Sequence, residues 1–220
     1  PDRTFYRQYL GGKNWALDVL LRENIPQIDV FHPENRLVFM TSVLTGTPIP
    51  GACRFTAATK SPLTGAYAES EAGGFWGPEL KFAGFDGIIV RGKAERPVYL
   101  WIRDGEVEIR SAEALWGKAT GDVQDIIRRE HDDEHVRVLQ CGPAGERLVR
   151  FANIVNELRH FNGRTGIGAV MGAKNLRAIA VRGTAKLDLH DRPAVMEKVK
   201  QFAEQLRTYE GVQGFRELGT

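Results

Sequence analysis

The chain has 220 residues, 42% of them hydrophobic and 26% charged, with a formal net charge of +2 at pH 7. That is the balance of a soluble globular protein with a sizeable core. No long basic run suggests a nucleic-acid partner, no run of about 18 apolar residues suggests a membrane span, and the start has no secretory-signal pattern. Two cysteines, Cys53 and Cys141, stand far apart with no C-x-x-C spacing. This chain therefore offers no iron–sulfur or zinc ligand set of its own, and two free thiols in a reducing, cytoplasmic setting are favoured over a disulfide.

The chain opens at Pro1, already close to a structured pattern, and closes at Gly219-Thr220 after an amphipathic stretch. It reads as a piece of a longer polypeptide. Residues 13–23 have Trp15, Leu17, Val19, Leu20 and Leu21 available for a helical face. A turn at Pro33-Glu34-Asn35 launches a strand over 36–41. The loop from Leu44 to Gly51 is stiffened by prolines and followed by a strand over 54–59. A strand over 87–90 precedes a hairpin, 98–102 with 107–109, around Asp104-Gly105, a strong type I′ signal. A helix is predicted over 120–130, strands over 136–140 and 148–154, then the segments 166–171 and 176–182. A long amphipathic helix over 188–207 carries Val195, Val199, Phe202 and Leu206, with Pro193 tolerated in its first turn.

Two glycine-rich segments stand out. Lys60–Gly92 reads KSPLTGAYAESEAGGFWGPELKFAGFDGIIVRG, and Asn162–Gly183 reads NGRTGIGAVMGAKNLRAIAVRG. Glycine at this density marks backbone that turns tightly or lies close against something. Each segment ends in an apolar run and Val-Arg-Gly. Gly92 and Gly183 are 91 residues apart, and at that offset Gly77 falls on Gly168. The expectation is an internal duplication, with two glycine loops facing one ligand of two similar ends. Short strands and frequent hairpins predict an α+β fold: a mostly antiparallel two-sheet β domain with pseudo-two-fold duplication and a few helices, not a doubly wound sheet.

The stretches PENRLVF, LTGT, KSPLTG, GGFWGPELKFAGFDGIIVRGKAERPVYLWI, LWGK, GPAGERLVRFA and GIGAVMGAKNLRAIAVRG resemble the N-terminal domain of the tungsten-containing aldehyde ferredoxin oxidoreductases. The resemblance covers nearly the whole chain, and motifs this long and ordered are far more specific than a lone GxGxxG. It implies a base of two β-sheets on which a tungsten (or molybdenum) bis-pterin cofactor lies. Residues 1–187 would form that domain, incomplete at its N-terminus, and 188–220 would begin a helical one. Aldehyde oxidation to a carboxylic acid is implied, with electrons leaving through a [4Fe–4S] cluster, held by residues outside this chain, to ferredoxin or a ferredoxin-like subunit. A homodimer stays open. Two alternatives are a relative that reduces an aromatic-ring thioester and a non-catalytic pterin-binding or assembly module.

By the same resemblance, Arg54 after the LTGT loop contacts the cofactor, as do Gly73 and Gly74 in the first segment and Gly163, Arg164, Thr165 and Gly166 in the second. Glycine turns expose N–H groups to phosphates, and arginine adds charge-assisted contacts. Three departures stand beside it. Glu71 occupies the place of an asparagine that helps hold a magnesium bridging the two phosphates; a carboxylate remains a hard oxygen ligand. His160 replaces an arginine, with Phe161 replacing a small residue. Thr165 interrupts a GRGG run. Read without the resemblance, Arg54, Arg164 and Glu71 are solvated charges, the glycines plain turns and His160 structural. Trp76, Trp101 and Trp116 read as core, and Glu146 as a local cap or pair with no catalytic part.

Overall fold

The structure is a computed structural model describing residues 2–219. Two sheets form its framework. The first holds β1 (Leu37–Thr41), β2 (Phe55–Lys60), β3 (Tyr67–Ala72) and β4 (Gly87–Val90) in the order β3-β2-β1-β4, all antiparallel. The second holds β5 (Val98–Arg103), β6 (Glu106–Ser111), β7 (Arg137–Cys141), β8 (Ile154–Asn156), β9 (His160–Asn162) and β10 (Leu176–Arg182) in the order β6-β5-β10-β7-β8-β9. Only β5 and β10 run parallel there. The mostly antiparallel two-sheet α+β architecture expected from the sequence is borne out.

The main core lies between the sheets. Leu37, Phe39 and Phe55 come from the first, Leu139, Ile154 and Ile179 from the second. Two short helices enter it, α3 (Trp76–Phe82) and α6 (Ile167–Ala173). Trp76 is fully buried, and its indole N–H donates to the Ile179 carbonyl at 3.1 Å, joining the layers. The outer face of the first sheet is covered by α2 (Gly12–Glu23), which follows α1 (Arg3–Tyr9); the far face of the second is covered by α4 (Thr120–Glu130). Trp101 is buried in the core as expected, while Trp116, also expected there, is half-buried and stands outside the core clusters.

Ala16, Val19 and Leu20 make the buried stripe of α2, at i, i+3 and i+4. Leu21, expected on that stripe, is 76% exposed. The hairpin at Asp104-Gly105 forms as expected, both residues with positive φ (43° and 91°). The strand expected over 148–154 is corrected: only its last residue joins β8, because Leu148 takes the left-handed region (φ 56°) after the one-turn helix α5 (Pro143–Glu146). Residues 166–171 belong mainly to α6, whose glycines seat it against α5 and the loop before β8.

Glu146 pairs with neither of its sequence neighbours. Its Oε1 lies 2.8 Å from Arg177 Nε, both side chains almost fully buried, in an ionic contact whose N–H is angled away from the oxygen. Its Oε2 accepts from Gly117 N at 2.8 Å. Arg177 also donates to Gln140, Lys118 O and Cys141 O.

Helix α7 (Arg192–Thr208) starts four residues later than expected, capped by Asp191, whose carboxylate accepts from Ala194 N at 2.9 Å; α8 (Glu210–Leu218) follows. No residue of α7 is buried. No helix among the described residues is long and apolar enough to cross a membrane.

Candidate functional site

The edge strand of the first sheet, β3, meets the edge strand of the second, β9. Asn162 Nδ2 donates to Ser70 O at 2.7 Å across the junction. Towards one end, the His160 ring reaches the Gly73 backbone, its Nδ1 3.9 Å from where a Gly73 Cβ would sit. Towards the other, Arg164 and Thr165 border an open groove with Tyr67, Ala68 and Glu69. The two glycine-rich segments therefore run side by side in opposite directions, 73 beside 160, 70 beside 162 and 68–69 beside 164–165. That register sets Glu71 opposite Phe161, both exposed.

The end of the β2–β3 ladder adds one more residue. Its last pair is Phe55 with Ala72, so the next pair outward is Arg54 with Gly73. The loop before Arg54 is fixed by Thr45, a buried threonine whose hydroxyl donates to Arg54 O at 2.8 Å. The side chains of Arg54, Glu71 and Arg164 are exposed, and that of His160 is half-buried. Among the described residues none of the four makes a side-chain hydrogen bond or ion pair. Arg54, Glu71, Gly73 and Gly74, with His160, Phe161 and residues 163–165, thus lie along this seam or at its end, while Gly166 packs against Arg150 O.

The glycines of the seam divide into two kinds. Gly74 has φ 89°, and a Cβ there would meet Asn156 Oδ1 at 2.5 Å, His160 Cδ2 at 2.6 Å and Glu157 Oε2 at 2.8 Å. Gly166 has φ 76° and sits against Arg150 O. Both are glycines because the fold demands it. Gly73 and Gly163 differ: neither has a positive φ, and the nearest atoms to their Cβ positions are at ordinary contact, 3.6 and 3.7 Å. Neither backbone conformation nor packing within the chain explains glycine at those two places.

Thr165 holds φ 67°, a conformation that a β-branched residue adopts at a cost of roughly 1–2 kcal/mol. Ser61 secures it by donating its hydroxyl to Thr165 O at 2.7 Å. Sequence reasoning missed Ser61, Asn156, Glu157 and Asn162. Ser61 and Asn162 stand inside the two glycine-rich segments, but pairing them needs the register across the seam.

The donor set can be tested against metals. Among the described residues, no group of three or more His, Cys, Asp or Glu gathers to hold an ion. Cys53 and Cys141 are free, the second fully buried, and burial pushes its thiol up to about 12.

A model of the aldehyde ferredoxin oxidoreductase N-terminal domain matches residues 1–183. The chain belongs to this family. It is 47% identical over 206 residues to the tungsten-containing aldehyde ferredoxin oxidoreductase of Pyrococcus horikoshii, covering 94% of this chain and 34% of that protein. The Pyrococcus furiosus enzyme of the same description is 44% identical over 206 residues, with the same two coverages of 94% and 34%. Among solved structures, the active site complex BamBC of benzoyl coenzyme A reductase, in complex with 1,5-dienoyl-CoA, matches with a TM-score of 0.92 and 39% identity, over 96% of this chain and 32% of that one. The chain spans about a third of the length of these relatives. The family implies a tungsten-pterin cofactor, and the unpartnered guanidinium groups of Arg54 and Arg164 have the chemistry that would hold the phosphates of such a group.

Proposed function

We propose that the seam between β3 and β9 is the base for a tungsten, or molybdenum, bis-pterin cofactor in a longer aldehyde-oxidising enzyme. What carries the reading is the convergence of both glycine-rich segments, with four ionisable side chains left without partners, on one line. Arg54 and Arg164 pair with the phosphates. Gly73 and Gly163 leave backbone N–H groups open to them, while Gly74 and Gly166 hold the neighbouring turns. His160 offers a ring nitrogen to the cofactor, Phe161 offers a ring face, and Thr165 keeps the second loop in its left-handed turn. Glu71 gives magnesium one oxygen.

The offset of 91 residues supports two equivalent cofactor ends. It relates Gly77 to Gly168 and also α3 (Trp76–Phe82) to α6 (Ile167–Ala173). An antiparallel seam is compatible with a pseudo-two-fold axis, which would pass between residues 70–71 and 161–162.

When bound, the cofactor supplies two-electron oxidation of an aldehyde to a carboxylic acid, with electrons leaving through a [4Fe–4S] cluster outside this chain to ferredoxin or a ferredoxin-like subunit. Residues 1–187 are the cofactor base, and α7 with α8 open the next domain, all in the cytoplasm. Aldehyde-dependent viologen reduction by the anaerobically purified full-length protein tests this. The likeness to the benzoyl coenzyme A reductase complex favours a second reading, reduction of an aromatic thioester. A protein that turns over the thioester and ignores aldehydes would replace the first with the second.

A further inference from the structure

Glu157 opens the turn between β8 and β9, where it and Leu158 both hold positive φ, 53° and 60°. Non-glycine residues adopt this conformation at a cost, so something must hold the turn. The Glu157 side chain is only 10% exposed. Its two carboxylate oxygens accept from Phe75 N at 3.1 and 3.0 Å, across 82 residues of sequence. Phe75 is the N-cap of α3, which has no side-chain cap of its own. The carboxylate thus satisfies an orphan N–H at the positive end of that helix. Behind it, Arg137 Nε lies 3.7 Å from Oε1, and the same guanidinium sits 4.9 Å from the centre of the Phe75 ring.

We propose that Glu157 is a positioning residue for the cofactor seam, a latch that fixes the Gly73-Gly74 segment against the strand carrying His160 and Phe161. The inference rests on the cofactor reading above. Glu157 Oε2, Asn156 Oδ1 and His160 Cδ2 all close on Gly74 within 2.8 Å of its Cβ position, so the turn and the glycine segment leave each other no slack. Without the carboxylate, the Phe75 amide loses its acceptor and Arg137 its counter-charge. The distance between the two halves of the seam is then no longer set. The latch touches no substrate and acts only through the residues it orders.

The test uses the full-length protein with its cofactor, in wild-type form and as Glu157→Gln and Glu157→Ala. Glu157→Gln is isosteric and keeps one acceptor oxygen, so it supplies a folded comparison should Glu157→Ala not fold. Two quantities are read: hydrogen exchange at the Phe75 amide, and the rate at which metal and pterin leave on dilution. The expected result is that both rise together, by about tenfold or more in Glu157→Ala and by less in Glu157→Gln. Glu146→Gln, a buried carboxylate away from the seam, changes stability without changing the rate of cofactor loss. Wild-type cofactor retention in the Glu157 variants despite faster Phe75 exchange would overturn the latch alone. A wild-type protein that carries neither metal nor pterin would overturn the cofactor reading, and the latch with it.

Discussion

Asn162 reaches from β9 to the carbonyl of Ser70 on β3, and at 2.7 Å this bond joins the edges of the two sheets. Asn162 is fully buried. Asn162→Ala removes the donor and leaves the Ser70 carbonyl buried without a partner, which costs about 1–3 kcal/mol. Chemical denaturation of this chain should show a loss of that size. An unchanged midpoint would mean that the sheets are held together elsewhere.

The two kinds of glycine predict opposite outcomes. Gly163→Ala and Gly73→Ala should leave folding stability unchanged or raise it by up to about 1 kcal/mol, because alanine restricts the unfolded chain. Both should weaken cofactor retention in the full-length protein. Gly166→Ala should unfold the loop, since its φ of 76° and the Arg150 carbonyl both refuse a side chain. Melting curves alongside metal analysis separate the two classes.

Much of the site was legible because its chemistry lies in local runs. Gly73-Gly74, Gly163 to Gly166, Arg54 and Glu71 stand in order along the chain, and two of the family's motifs begin at Gly73 and at Gly166. The Asp104-Gly105 hairpin and the helix over 120–130 were equally local. What stayed hidden depends on pairings between distant segments. Strand β3 alternates in burial, but its inward residues are Ala68, Ser70 and Ala72, too small or polar to mark an apolar face, and β9 has only three residues. Helix α3, in FWGPELKF, starts without a side-chain cap and contains Gly77 and Pro78, both poor local helix signals. Its cap, Glu157, arrives from 82 residues away. Glu146 could not be assigned its partner because Arg177 sits beyond two intervening strands.

Arg177 and Glu146 predict a large penalty when only one is removed. Arg177→Met leaves the Glu146 carboxylate buried without its counter-charge, a change of about 3–5 kcal/mol. Denaturation of the single variants and the double variant would measure the coupling. A loss below about 1 kcal/mol in Arg177→Met would contradict the ion-pair assignment.

Lys174 predicts a pH effect. Its side chain is buried, with Nζ donating to Pro33 O at 2.7 Å and Gly92 O at 3.0 Å. Burial, and after it the nearby Arg36, push its ammonium down to about 8 from an ordinary 10.5, and the Glu34 carboxylate opposes that fall. Between those values the unfolded chain binds more protons than the folded one. Stability contributed by this residue therefore rises as pH climbs through that window and is lowest below it. Wild type should gain on Lys174→Met as pH climbs from about 8 towards 10.5. A constant difference would mean that the carbonyls hold the proton as tightly as water does.

The most direct test of the central claim is metal and pterin analysis of the full-length protein, purified without oxygen. The expected result is tungsten or molybdenum in bis-pterin stoichiometry, with magnesium present and the metal lost in Gly163→Ala. A folded protein holding neither heavy metal nor pterin would contradict it, and Glu71, His160 and Thr165 would then mark a seam that no longer binds a cofactor.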